Sequence, residues 1–344
     1  MANYLTTDTE LTSIANAIRT KGGTQAQLTY PTGFVSAIND IPTGGGTKPD
    51  IVLTGDQAYR FQGSNGVDLV NAANYTTNNL TNLVYMFNGY TGTTIPFTFN
   101  IGSQFSGIQN MFYNCINLTT LPTINFNNYG LSSNGGLTSM FMNCQSLTTI
   151  PDGYFNTYNF SIMHNATGNM GQMMFASCYN LTHIDNGLLP NLYSSRTNAQ
   201  AWMELFSNCR SLPEILNLGI FHPTATVSRN LFSNTFQNCY SLSRLTFAAN
   251  GAARNYSNQA IDLASFVGYS SMADVANSVY NHASAVETIN SLPDCSAVSS
   301  PSNPTNSIYY SANAGANTAG GRIGDLTAEE IAVATNKGWK IILQ

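Results

Sequence analysis

The sequence predicts an α/β solenoid, an array of short helices and short parallel strands, and three observations carry that prediction. One motif returns five times, as MFYNCINLTTLP (111–122), MFMNCQSLTTIP (140–151), MFASCYNLTHI (174–184), LFSNCRSLPEI (205–215) and TFQNCYSLSRL (235–245). Its cysteines, Cys115, Cys144, Cys178, Cys209 and Cys239, fall 29, 34, 31 and 30 residues apart, a period that belongs to stacked repeats. Four positions stay apolar in every copy while their neighbours change: Phe, then Cys three residues on, Leu at six, and Leu or Ile at nine.

These positions define the expected core. They are Phe112, Cys115 and Leu118; Phe141, Cys144 and Leu147; Phe175, Cys178 and Leu181; Phe206, Cys209 and Leu212; Phe236, Cys239 and Leu242. Spacing by three through Phe, Cys and Leu fits a helical turn, and the Leu-Thr-Thr-Ile half reads as extended chain that Pro122 or Pro151 stops. Each unit is thus expected to be a short helix or 3₁₀ turn, a bend, and a strand that pairs with the next unit. The residue before Cys is Asn114, Asn143, Asn208 or Asn238, with Ser177 in the third copy. Asn and Ser bond backbone groups at bends, so an inward ladder of turn-satisfying side chains is expected. One unit cannot cover its own apolar faces, so the copies must stack and the ends must be capped.

The other segments follow in chain order. Residues 1–43 form a small helical segment: Thr7 and Glu10 make a capping box, Leu11, Ile14 and Ile18 follow at helical spacing, and Gly22-Gly23 ends the run. A second helix-like stretch carries Phe34 and Ile38 on one side. So short a piece cannot hold its own core, which favours docking on a partner over a hairpin packed on its own chain. Residues 44–50 are a Gly-rich linker, 51–82 an N-terminal cap, 83–300 the repeat array (with a weaker copy at Met86-Phe87-Asn88) and 301–344 a C-terminal loop and helical cap. Within the last piece, 299–322 reads as a surface loop with Tyr309-Tyr310 as an edge strand. Thr327 and Glu330 make another capping box, and Ile331, Ala334, Trp339, Ile341 and Leu343 are expected to cover the last unit.

The pattern MF-x-NC-x-SLT-x-IP resembles the BspA-type leucine-rich repeat of gut-bacterial surface proteins and their phages, over roughly residues 80–250. The stretch 53–61 is similar to the opening cap that precedes such repeats, without the Trp-rich continuation, and 326–339 to their closing segment. Residues 9–41 resemble an N-terminal segment of phage tail and minor structural proteins of Gram-positive hosts. The resemblance implies a virion structural protein. Residues 1–43, through Leu11, Ile14, Ile18, Phe34 and Ile38, would dock onto other virion proteins, and the array would meet the host surface. Fibres are symmetric, which implies a homo-oligomer, taken as a trimer.

Composition narrows the function. The 12 basic and 17 acidic side chains are together fewer than the 43 asparagines, and the net charge is −5. Nucleic-acid binding needs clustered Lys and Arg, and that class is excluded. A neutral surface rich in hydrogen-bonding groups suits contact with glycan or protein. No stretch approaches the ~18 apolar residues of a membrane span. Residues 1–7 have no basic or apolar region of an export signal. This fits assembly in a host cytoplasm and exposure on a particle better than export as an adhesin. Five of six cysteines share one repeat position, so free buried thiols are expected in preference to bridges, and no spacing makes a zinc site.

No catalytic constellation is present in the sequence. Between 101 and 250 the only acids are Asp152, Asp185, Glu204 and Glu214, each in a different unit. Neither a metal nor a cofactor is expected, and the chain is read as a non-enzyme. Recognition is placed in two sets of residues. Tyr154, Tyr158, Phe160 and His164 lie on the longest insertion, half of whose aromatics are expected to be buried. Tyr179, Arg210 and Tyr240, with Ile116 and Gln145, occupy the freely varying position after each repeat Cys. The alternatives are a decorating protein of capsid, neck or tail without receptor binding, and a bacterial surface adhesin.

Overall fold

The computed structural model describes residues 16, 51–65, 75–129, 136–160, 171–191, 203–219, 234–248, 260–263, 278–296 and 299–344. The chain divides into two compact units, Met1–Ile51 and Val52–Gln344. Of the first unit only Asn16, in a helix, is described, so Leu11, Ile14, Ile18, Phe34 and Ile38 lie outside the described residues.

The second unit is a parallel β-solenoid of about seven turns with few helices. Its axis is marked by a column of rings. Phe61, Phe87, Phe112, Phe141, Phe175, Phe206 and Phe236 stack in succession, with centroids 5.2–6.1 Å apart and planes within 23° of parallel. All fifteen Phe, Cys and Leu positions of the five clear copies are at most 3% exposed. Phe61 belongs to this column, so a coil begins inside the segment expected to be a cap.

The expected helical turn of each unit is absent from the described coils. In its place the backbone alternates. The residues two before and two after each Phe have positive φ: Tyr59 and Gly63, Tyr85 and Gly89, Asn110 and Asn114, Ser139 and Asn143, Met173 and Ser177, Glu204 and Asn208, Asn234 and Asn238. A left-handed residue at every fourth position flips peptides, so alternate N–H groups leave the coil. The N–H of each Phe from 61 to 206 donates to the carbonyl of the residue preceding the next Phe, at 2.8–3.0 Å. The intervening N–H groups close i→i−3 turns, such as Met111 to Ile108, Tyr113 to Asn110 and Cys115 to Phe112. Spacing by three therefore comes from successive turns, where a helix would have kept every N–H within its own coil.

The asparagines serve this geometry. Asn tolerates the left-handed region better than other residues with a Cβ, which explains its place before Cys. Its side chain points outward, against the inward ladder expected from sequence. Asn143 Nδ2 donates to Asn114 Oδ1, and Asn238 Nδ2 to Asn208 Oδ1 at 2.8 Å, on the half-wetted outside of the stack.

The cysteines face in and link coils. Each Sγ lies 3.0–3.1 Å from the Phe carbonyl of the preceding coil: Cys115 to Phe87, Cys144 to Phe112, Cys178 to Phe141, Cys209 to Phe175 and Cys239 to Phe206. That carbonyl already accepts a turn N–H, and the thiol fills its second lone pair. All six cysteines, Cys295 included, are free and buried.

The extended halves pair in parallel. β1 (Ile51–Asp56) lies beside β2 (Tyr75–Asn82); β3 (Phe99–Asn100) pairs with β4 (Ile124–Asn125), and β5 (Glu214–Leu218) with β6 (Arg244–Phe247). A fourth sheet runs β7 (Ala260–Asp262), β8 (Asn306–Tyr310), β9 (Trp339–Leu343), all parallel. β8 is its middle strand and Tyr310 is fully buried, so the expected edge strand is central and the expected surface loop contributes core.

Two helices accompany this sheet. α1 (His282–Ser291) is capped by Asn281 and lies over β6, where Thr288 Oγ1 donates to Leu245 O at 2.7 Å and Ser291 Oγ accepts from Phe247 N at 3.0 Å. Side-chain hydroxyls thus serve a strand edge that another coil would otherwise serve. α2 (Ala328–Asn336) opens with the capping box of Thr327 and Glu330. Trp339 follows it on a strand, fully buried, its Nε1 donating to Pro293 O at 3.0 Å, whereas Leu343, expected to cover the last unit, is 39% exposed.

Candidate functional site

The position after each repeat Cys forms an outer stripe, fixed coil to coil by backbone bonds. Ile116 N and Arg210 N each donate to the Asn carbonyl two residues back at 2.9 Å. Ser146 N then donates to Ile116 O at 3.1 Å, and Ser241 N to Arg210 O at 3.2 Å. Unlike side chains are therefore held at one coil-to-coil spacing, about 4.8 Å. Ile116 and Arg210 are exposed, and Gln145, Tyr179 and Tyr240 half-buried.

Three members of the stripe meet. The Arg210 guanidinium carbon sits 4.7 Å from the Tyr179 ring centroid and 5.9 Å from that of Tyr240. Tyr240 is braced by its hydroxyl, which donates to Asn238 Oδ1 at 3.2 Å. Among the described residues Arg210 has no carboxylate within ion-pair distance; Arg244 takes both Glu214 and Glu287. Two rings cover part of the cation and leave its N–H edge to solvent, each contact contributing about 0.5–1 kcal/mol. This arrangement presents a planar donor edge between aromatic surfaces, suited to carboxylate, phosphate or hydroxyl acceptors.

The insertion residues divide differently from expectation. Tyr158 is 5% exposed and meets Phe126 edge-on at 5.0 Å, so it is core and not a receptor contact. Phe155 is buried too and stacks on Phe126 at 5.8 Å. Tyr154 and Phe160 are half-buried against the same cluster, and the Tyr154 hydroxyl is buried without a partner among the described residues. His164 lies outside the described residues. The physical reason is Asp185, itself 1% exposed. Its Oδ1 accepts from Gly153 N and Gly187 N at 3.1 and 2.8 Å, and its Oδ2 from Phe155 N at 3.1 Å. A carboxylate with three backbone donors pins the insertion onto the stack and turns its rings inward.

Among the described residues, several other ionisable groups sit in local pairs. Asp152 accepts from Asn186 N at 2.9 Å and meets His183 Nε2 at 3.0 Å; the first bond, then the second, holds its carboxyl below the usual range. Burial pushes the thiols of Cys178 and Cys239 up to about 12, and those of Cys144 and Cys209 well above their ordinary value. Such thiols are poor nucleophiles and poor metal ligands. Among the described residues no group of three or more His, Cys, Asp or Glu is placed to hold a metal, and no helix is long and apolar enough to cross a membrane. Compared with known proteins, the chain matches no family model, no curated protein and no solved structure.

Proposed function

We propose that this chain is a phage virion appendage that docks through residues 1–43 and presents its solenoid for host recognition. The observation that carries the reading is the Tyr179–Arg210–Tyr240 cluster, a cation held between rings and left without an anionic partner among the described residues. It lies on a surface with few charges and many amides, and arrays of this kind use such stripes for binding. The kinship of the repeat with the BspA type, and of residues 9–41 with phage tail segments, belongs to the same proposal. So do the homo-oligomer and the place on the particle exterior.

Two experiments test it. Labelled full-length chain is expected to bind cells of the host bacterium, and Arg210→Ala with Tyr179→Ala is expected to lose at least about ten-fold in affinity, the size of a small aromatic–cation hot spot. Binding that survives the double substitution contradicts the role given to the stripe. Deleting residues 1–43 is expected to abolish incorporation into particles; truncated chain that still assembles contradicts the docking role. A decorating protein without a receptor is the outcome if incorporation holds and cell binding is absent.

A further inference from the structure

We infer a second binding site, for neutral saccharide, in a cleft between the extended halves of three early coils. The cleft measures about 510 Å³ and is lined by residues 75–77, 95–98, 100 and 121–123, none of them charged. Its floor is aromatic. Tyr75 is half-buried, stacks on Phe97 at 5.6 Å and meets Phe61 edge-on at 5.9 Å, so its ring is fixed before any ligand arrives.

The polar groups of the cleft fall into two kinds. The inner ones are saturated: Thr77 Oγ1 donates to Thr98 O at 2.8 Å and accepts from Asn100 N at 2.7 Å, while Asn100 Nδ2 donates to Thr77 O and its Oδ1 accepts from Asn125. The outer ones are not. Thr76, Thr98 and Thr123 are exposed, come from three successive coils, and their hydroxyls have no hydrogen-bond partner among the described residues. Each hydroxyl can donate and accept, and the parallel register of β3 with β4 sets those of Thr98 and Thr123 about 4.8 Å apart. Pro96 and Pro122 add rigid walls without donors.

A pre-ordered ring beside unpaired hydroxyls, in a lining without charged residues, fits a pyranose that stacks an apolar face and exchanges hydrogen bonds at its edge. The absence of a cation from the lining disfavours uronate or phosphate sugars, which the Arg210 cluster suits better. The cleft therefore deepens the recognition reading by naming a ligand class, yet binding here stands on its own geometry.

The test is titration of full-length chain with gluco-, manno- and galacto-hexaoses as neutral probes and a galacturonate hexamer as the acidic one. At least one neutral probe is expected to bind, and Thr98→Val with Thr123→Val, on exposed hydroxyls that the fold does not use, is expected to weaken it about five-fold. Arg210→Ala should leave neutral binding unchanged. Failure of every neutral probe at millimolar concentration, or equal binding by the Thr98→Val/Thr123→Val chain, overturns the proposal. A neutral probe that binds and is lost in the double variant upholds it even when no cell adhesion is seen, in which case the host-recognition reading alone falls.

Discussion

The coils between residues 51 and 248 and the region from 278 to 344 solve the same backbone problem by different means. In the coils, a peptide group finds its partner in the neighbouring coil, and left-handed residues at two fixed positions aim it there. In the later region β8 and β9 still pair backbone to backbone, but side chains and ordinary caps supply many of the remaining partners. Ser299 Oγ donates to Gly338 O at 2.6 Å and accepts from Thr305 N at 2.8 Å, Thr288 and Ser291 serve β6, and Thr327 and Glu330 close the first turn of α2. The difference teaches what a repeat costs. A coil depends on a like neighbour on both sides, so stability is shared along the stack, whereas caps act locally.

The largest effect should come from breaking the ring column at its middle. Phe141 stacks on Phe112 at 5.6 Å and on Phe175 at 5.7 Å, and Phe141→Ala is expected to cost about 4 kcal/mol. Thr327→Ala, at a cap, should cost about 1 kcal/mol. Chemical denaturation of both variants measures the contrast, and equal losses would show that the stack does not couple its coils.

The thiols sharpen the comparison through pH. In the folded chain Cys178, Cys239 and Cys295 titrate near 12 because burial disfavours the thiolate, while unfolded thiols titrate near about 8.5. The folded state then holds protons that the unfolded state has released. Stability is full below pH ~8.5 and falls as pH rises towards 12. Melting temperatures across that range should decline steadily, and native chain should leave all six thiols unmodified by a thiol reagent at neutral pH. Rapid modification of the repeat cysteines would contradict their burial. A smaller effect is expected at Tyr154, whose hydroxyl is buried without a partner among the described residues: Tyr154→Phe should stabilise by about 1 kcal/mol, and a loss on thermal melting would mean that the hydroxyl is satisfied after all.

The period was legible because it is written in side-chain identity. Phe, Cys and Leu recur where each coil needs the same volume, and Thr327 with Glu330 announces a helix by chemistry alone. Backbone conformation was not legible in the same way. Asn at a bend and Asn at positive φ look alike in sequence, and only the pairing of positions two before and two after Phe separates them. That pairing also marks the first coil, where Tyr59 and Gly63 flank Phe61 as Tyr85 and Gly89 flank Phe87, although no Cys follows. The strand at Tyr309-Tyr310 was expected, but its central place was hidden by polar flanks: Asn306 and Ser307 are buried there through partners that composition does not reveal. Among candidate site residues, Tyr179, Arg210 and Tyr240 were placed by counting from Cys, which the fold respects. Tyr158 was misplaced because nothing in an insertion says which rings a distant carboxylate will turn inward.

The central claim is that left-handed residues beside each Phe turn the peptide groups towards the next coil, and Asn143, at φ +63°, tests it most directly. Replacing it by Gly keeps the conformation and loses only the outer amide, whereas Ala keeps neither. Thermal melting is expected to place Asn143→Gly within about 0.5 kcal/mol of the parent chain and Asn143→Ala about 1–2 kcal/mol below it. If Ala proves as stable as Gly, or more so, the backbone at that position is not left-handed and the account of the coil fails.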